Sequence, residues 1–269
     1  MLGMRMKWWA WLGLVAAGLV AAPAGQAAEA VPRDMSGHAG EAGEAGEPGE
    51  PGEAGEPGEP GELVVAEAAE IRAVVFLVVL DDPRPGAARM AEALVAEVEV
   101  ALRRVFQVEV RRLTSRPLPR SAYRSQRKRY RADDLLVYLA TQIPADMPAG
   151  TRVLGLTTAD ISTTKGQFKD WGVFGLGELG GTAAMVSSIR LRRKARDAAQ
   201  VTWRVTNTAV HELGHVLGLD HCAEPRCVML DAEGGIANTD DSSGGPGPQC
   251  TAKLDRVSPL RPAPLRPAH

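Results

Sequence analysis

Residues 211–222 read HELGHVLGLDHC, and in this stretch three imidazoles and one carboxylate fall at spacings that a single metal ion can use. On an α-helix His211 and His215 lie one turn apart on the same face, so both rings reach one cation. Glu212 sits beside the first of them. From there its carboxylate can accept a proton from a water polarised by the ion and return it to a leaving amine. Gly218 has no Cβ and lets the helix end in a left-handed cap, after which the chain turns back and brings His221 to the same ion. Three neutral imidazoles leave the fourth tetrahedral position of zinc open, whereas a structural site closes it with protein. The chemistry implied is zinc-dependent hydrolysis of a peptide bond.

A plainer reading makes this an amphipathic core helix, with Val210, Leu213, Val216, Leu217 and Leu219 buried. The two readings are compatible, since a helix that carries a catalytic site is itself buried on one side. The histidines add weight to the metal. Of the five in the chain, the two outside the motif are His38 in a low-complexity stretch and His269 at the last position.

The elements that must position the motif follow from hydrophobic periodicity. Residues 71–80 (IRAVVFLVVL) are β-branched and apolar, stop at Asp81-Asp82-Pro83 and read as a buried strand. Residues 87–106 have apolar positions at helical spacing, 108–113 alternate as a second strand, and 121–138 read as a helix with Leu135, Leu136, Tyr138 and Leu139 towards the core. Residues 152–157 (RVLGLT) form a third strand. A glycine-rich loop then leads to a strand over 182–191 (TAAMVSSIRL) and a long active-site helix over 198–219. This order is that of the N-terminal subdomain of a zincin. The strand over 182–191 is the candidate edge strand, whose free backbone groups would pair with an extended peptide and lay the scissile bond over the metal.

With the HExxHxxGxxH spacing matched at every position, Cys222 directly after the third histidine, then Cys227 and Met229, the chain resembles the archaemetzincins of the metzincin clan. Similarity extends upstream through Ala122-Tyr123, Tyr130, the VFGLGELGG segment and Ser188-Ile189-Arg190-Leu191, and covers most of 71–254. The resemblance implies an α/β (α+β) metzincin-like domain: a twisted mixed sheet, an active-site helix and a small C-terminal subdomain in which Met229 is the Met-turn residue beneath the metal. It also implies a second, structural zinc on four cysteines. Here the chain departs from the pattern, because the final pair would fall at 247 and 250 and the residues are Gly247 and Cys250. Cys222, Cys227 and Cys250 remain for that ion, or two of them for a disulfide if the protein is exported. Some metzincins also carry a tyrosine just after the Met-turn, but the last tyrosine of this chain is Tyr138.

Composition bounds the rest. Arg5 and Lys7 precede an apolar run over 8–22 and small residues to 30, a signal-peptide pattern that predicts export, with an uncleaved membrane anchor as the alternative. From 37 to 61 glycine recurs at every third position, mostly beside Glu, so 31–62 reads as a collagen-like, solvated linker; a trimeric display stalk is the other use of such a tract. The linker carries more net negative charge than the whole chain's −2, so the folded part, 63–257, is modestly basic, with no nucleic-acid signature. The basic run over 111–131 (Arg120, Arg124, Arg127, Lys128, Arg129 and Arg131 among others) reads as a solvated face. Residues 258–269 are a Pro-rich tail. The expected protein is a monomer acting on peptides or proteins, without stable membrane insertion once the signal is cleaved. Its alternative is a non-hydrolytic zinc-binding scaffold, which would need the histidines but not Glu212.

Overall fold

The computed structural model describes residues 73–256 apart from residue 233. The signal, linker and tail expected over 1–30, 31–62 and 258–269 lie outside the described residues. Strand β1 (Val74–Asp81) is the centre of the architecture. Its apolar residues alternate sides with the period of two that a strand imposes: Val75 and Leu77 enter one core, Phe76, Val78 and Leu80 the other. Both faces must therefore be covered, and a strand buried on both faces reads as a continuous apolar run.

Strands β2 (Glu109–Arg112) and β6 (Arg152–Thr157) flank β1 in parallel, and β10 (Ala183–Ser187) pairs with β6 in parallel. Antiparallel β9 (Gly175–Gly177) closes the order β2-β1-β6-β10-β9. A short β3 (Arg116–Pro117) continues along the far end of β1. Helices α1 (Glu92–Phe106) and α4 (Ala198–Val216) cover one face, burying Val98, Leu102 and Phe106 against Val205, Ala209 and Leu213. Helix α2 (Ala132–Ala140) covers the other through Leu135 and Leu139. A second sheet, β4 (Tyr123–Arg124), β5 (Arg129–Arg131), β7 (Ile161–Lys165) and β8 (Phe168–Val173), lies against that core through Tyr130 and Ile161. Short helices α3 (Ser188–Leu191), α5 (Ala237–Asp241) and α6 (Pro248–Leu254) complete the described chain. Among the described residues no helix is long and apolar enough to cross a membrane.

Three expectations are corrected. The helix expected over 121–138 is a 3-10 turn (Arg120–Ala122), the β4–β5 hairpin and then α2. Residues 123–130 (YRSQRKRY) offer two tyrosines and no helical apolar stripe, and the tyrosine rings pack across the hairpin at 5.0 Å. The glycine-rich loop over 158–181 contains β7, β8 and β9. And the strand over 182–191 is not the edge: β10 lies between β6 and β9 and ends where α3 begins at Ser188, so the edge strand is β9. The basic run folds into ion pairs, with Arg124 on Asp134, Arg129 on Asp160 and Arg131 on Asp133 at 2.7–2.9 Å.

Candidate metal centre

Helix α4 is fixed along its length. At its start the Asp197 carboxylate accepts the Gln200 N–H at 2.8 Å. Further on, the buried Arg204 guanidinium grips both oxygens of Asp240 at 2.6 and 2.7 Å and donates to the Leu191 and Arg193 carbonyls. The end is a Schellman cap: Leu219 N–H bonds the Gly214 carbonyl at 2.9 Å, Gly218 N–H bonds the His215 carbonyl at 2.8 Å, and Gly218 has φ of 93°, a left-handed value that glycine adopts without strain.

The cap turns the chain so that His221 meets the helix. His211 Nε2 lies 3.1 Å from His215 Nε2 and 3.3 Å from His221 Nε2. Zinc–nitrogen bonds of about 2.05 Å at tetrahedral angles put ligand nitrogens roughly 3.3 Å apart, so the spacing is that of one ion. The opposite ring nitrogens are already committed. His211 Nδ1 donates to the Val228 carbonyl at 2.7 Å and His215 Nδ1 to the Leu219 carbonyl at 2.8 Å, which leaves each Nε2 as the free lone pair. His221 Nδ1 faces Asp231 Oδ2 at 3.6 Å. Burial, then the neighbouring imidazoles, push His211 down to about 3 and His215 below its ordinary value, so both rings are neutral at physiological pH.

Glu212 is buried at the junction of α4 and β9. Burial raises its carboxyl to about 8, against the pull of a hydrogen bond from Gly177 N–H. The strand comes this close because it has no side chains to spare: a Cβ on Gly175 would lie 2.6 Å from Glu212 Cγ, and one on Gly177 would collide with the Glu212 main-chain carbonyl. Below the helix Met229 is fully buried, its Sδ 2.5 Å from where a Cβ on Gly214 would stand. Residue 214 lies between the two helical histidines in the chain, so the thioether packs against the helix turn that carries them.

Cys222, Cys227 and Cys250 form a second cluster, their sulfurs all within 4.8 Å of one another. The structure brings His211, His215 and His221 together, groups Cys222, Cys227 and Cys250, and puts Glu212 on α4, Gly218 in its cap and Met229 against Gly214. The sequence reading misses Gly175, Gly177 and Asp231. The two glycines at alternate positions did carry a signal, since a strand without side chains on one face marks a close backbone approach.

The chain is similar to proteins of known family and structure. The model of peptidase family M54 matches residues 94–256. An archaemetzincin of Haloarcula marismortui is 31% identical over 140 residues, which cover 49% of this chain and 76% of that protein. Among solved structures, the archaemetzincin of Methanopyrus kandleri superposes with a TM-score of 0.56 at 31% identity, over 72% of this chain and 98% of that one. A zinc-dependent peptidase from Methanocorpusculum labreanum gives 0.55 at 25% identity, over 67% and 99%.

Proposed function

The chain belongs to peptidase family M54 and is a zinc metallopeptidase, and from that premise we propose that His211, His215 and His221 hold the zinc through Nε2 while Glu212 is general base and then general acid on a peptide or protein substrate. A zinc ion held there would supply Lewis acidity to a substrate carbonyl and to a water molecule. Glu212 takes a proton from that water as its oxygen attacks the carbonyl carbon. It then hands a proton to the amine nitrogen, whose bond to carbon breaks.

The outer edge of β9 is the part of the frame suited to present an extended peptide, because its other edge is taken by β10 and its glycines lie against Glu212. Backbone N–H groups of β9 other than that of Gly177, which Glu212 holds, are the chain's own candidate donors for the developing oxyanion, no tyrosine following Tyr138. Met229 gives the site an apolar floor, the part of a Met-turn residue. Export belongs to the same proposal, on the strength of Arg5, Lys7 and the apolar run over 8–22, and implies substrates outside the cytoplasm.

The observation that carries the reading is the convergence of three Nε2 atoms, with a buried carboxylate on the same helix next to the first of them in the chain. Its test is Glu212→Gln, which keeps the side-chain shape and every histidine. Zinc content should stay at the wild-type value while cleavage of a broad peptide library slows by roughly 10²–10⁴-fold. Unchanged cleavage would remove Glu212 from the chemistry.

A further inference from the structure

The three thiols are arranged to hold a cation and are one donor short. Backbone N–H groups already point at them: Glu224 N–H at Cys222, and Gly247 N–H (3.1 Å) and Met229 N–H (3.4 Å) at Cys227 Sγ. Such donors neutralise thiolate charge, and soft thiolates in a group select zinc. A tetrahedron with zinc–sulfur bonds of about 2.3 Å has edges of roughly 3.8 Å, within the 4.8 Å span of the cluster. A structural zinc takes four ligands, and no fourth cysteine or unused histidine exists among the described residues.

Position 247 is where a fourth side chain would come from. Its N–H touches Cys227, but it is glycine, with an ordinary extended backbone (φ −71°, ψ 172°) that any residue could adopt. The space a Cβ would need there is taken. A Cβ on Gly247 would run into both carboxylate oxygens of Glu224, each under 3.0 Å away. Glu224 belongs to the loop that joins Cys222 to Cys227: its N–H faces the first sulfur and its carbonyl accepts the N–H of Cys227 at 3.2 Å. In the structure the carboxylate fills the place of a side chain at 247, outside the 4.8 Å span the three sulfurs share, on a long 3.4 Å contact from Gln249 N–H that a turn of the side chain towards the sulfurs would release.

We propose that Glu224 supplies the fourth ligand, so that Cys222, Cys227, Cys250 and the Glu224 carboxylate form a second, structural zinc site of three sulfurs and one oxygen. The site ties the segment after the third histidine to α6. It does not depend on the catalytic reading, and its test keeps the two apart.

The full chain carrying His215→Ala, purified under reducing conditions without added metal, isolates the thiol site. It should retain about one zinc per chain by elemental mass spectrometry, with X-ray absorption giving three sulfur neighbours and one oxygen. Adding Glu224→Ala should weaken zinc at least about 10-fold in competition with a chelator. Adding Gly247→Cys to that double variant should restore it with four sulfurs, which separates loss of a ligand from loss of the fold. The proposal is overturned if His215→Ala holds no zinc, if Glu224→Ala binds zinc as tightly as its parent, or if both Glu224 variants fail to bind.

Discussion

Glu212 is held at both its carboxylate and its main chain, and one residue without a side chain does the holding. The Gly177 N–H fixes the carboxylate, and the missing Cβ of Gly177 admits the Glu212 carbonyl. Gly177→Ala should therefore force β9 and α4 apart. Neither of the colliding groups is a flexible side-chain tip, so we expect a loss of roughly 1–3 kcal/mol in chemical denaturation together with most of the peptidase activity. Gly245→Ala, at a position with nothing within 4 Å and no left-handed backbone, is the control and should change neither. A Gly177→Ala protein with wild-type stability and activity would mean that the strand does not press on the helix. At this scale the sequence was most informative. His211, His215, His221 and Glu212 announce themselves by spacing, because helical geometry alone puts the first two histidines on one face. Glu224 and Asp231 could not be found that way, since each meets its partner through the folding of a loop.

The active-site helix depends on one buried charge as much as on its apolar face. Arg204 is 3% exposed in its side chain and its guanidinium is matched by Asp240, so removing the acid leaves a cation buried with only carbonyls for company. Asp240→Asn should cost roughly 2–4 kcal/mol, since breaking one half of a buried pair exceeds what the pair contributes. The pH dependence has a definite sign. The Arg204 hydrogen bond, outweighing burial, holds the Asp240 carboxyl below its ordinary 3.8, so its contribution is complete above that value and is lost as pH falls through the lower folded value. Unfolding titrations should show part of the wild-type loss below pH ~4 missing from Asp240→Asn; identical acid limbs would contradict the pairing. Elements with strong periodicity, β1, α1, β6 and α4, were legible within a few residues of their ends. The β4–β5 hairpin and β9 were not. One is a polar run whose only apolar groups are two tyrosines, and the other is a three-residue strand, Gly-Leu-Gly, whose structure is decided by what packs on it rather than by its own side chains.

As a whole the described molecule is one sheet with helices on both sides, a smaller sheet against one core, and two clusters of candidate metal ligands joined by the bond between His221 and Cys222. That adjacency puts the third histidine of the proposed catalytic site next to the first thiol of the second cluster. The catalytic claim is tested most directly by stripping the full chain of metal with a chelator, adding zinc stepwise, and following cleavage of a peptide library beside His215→Ala. The account predicts no cleavage by the stripped protein, recovery as zinc fills the three histidines, and none in His215→Ala at any zinc concentration that leaves it folded. Cleavage by the stripped chain, or full recovery in His215→Ala, would contradict it.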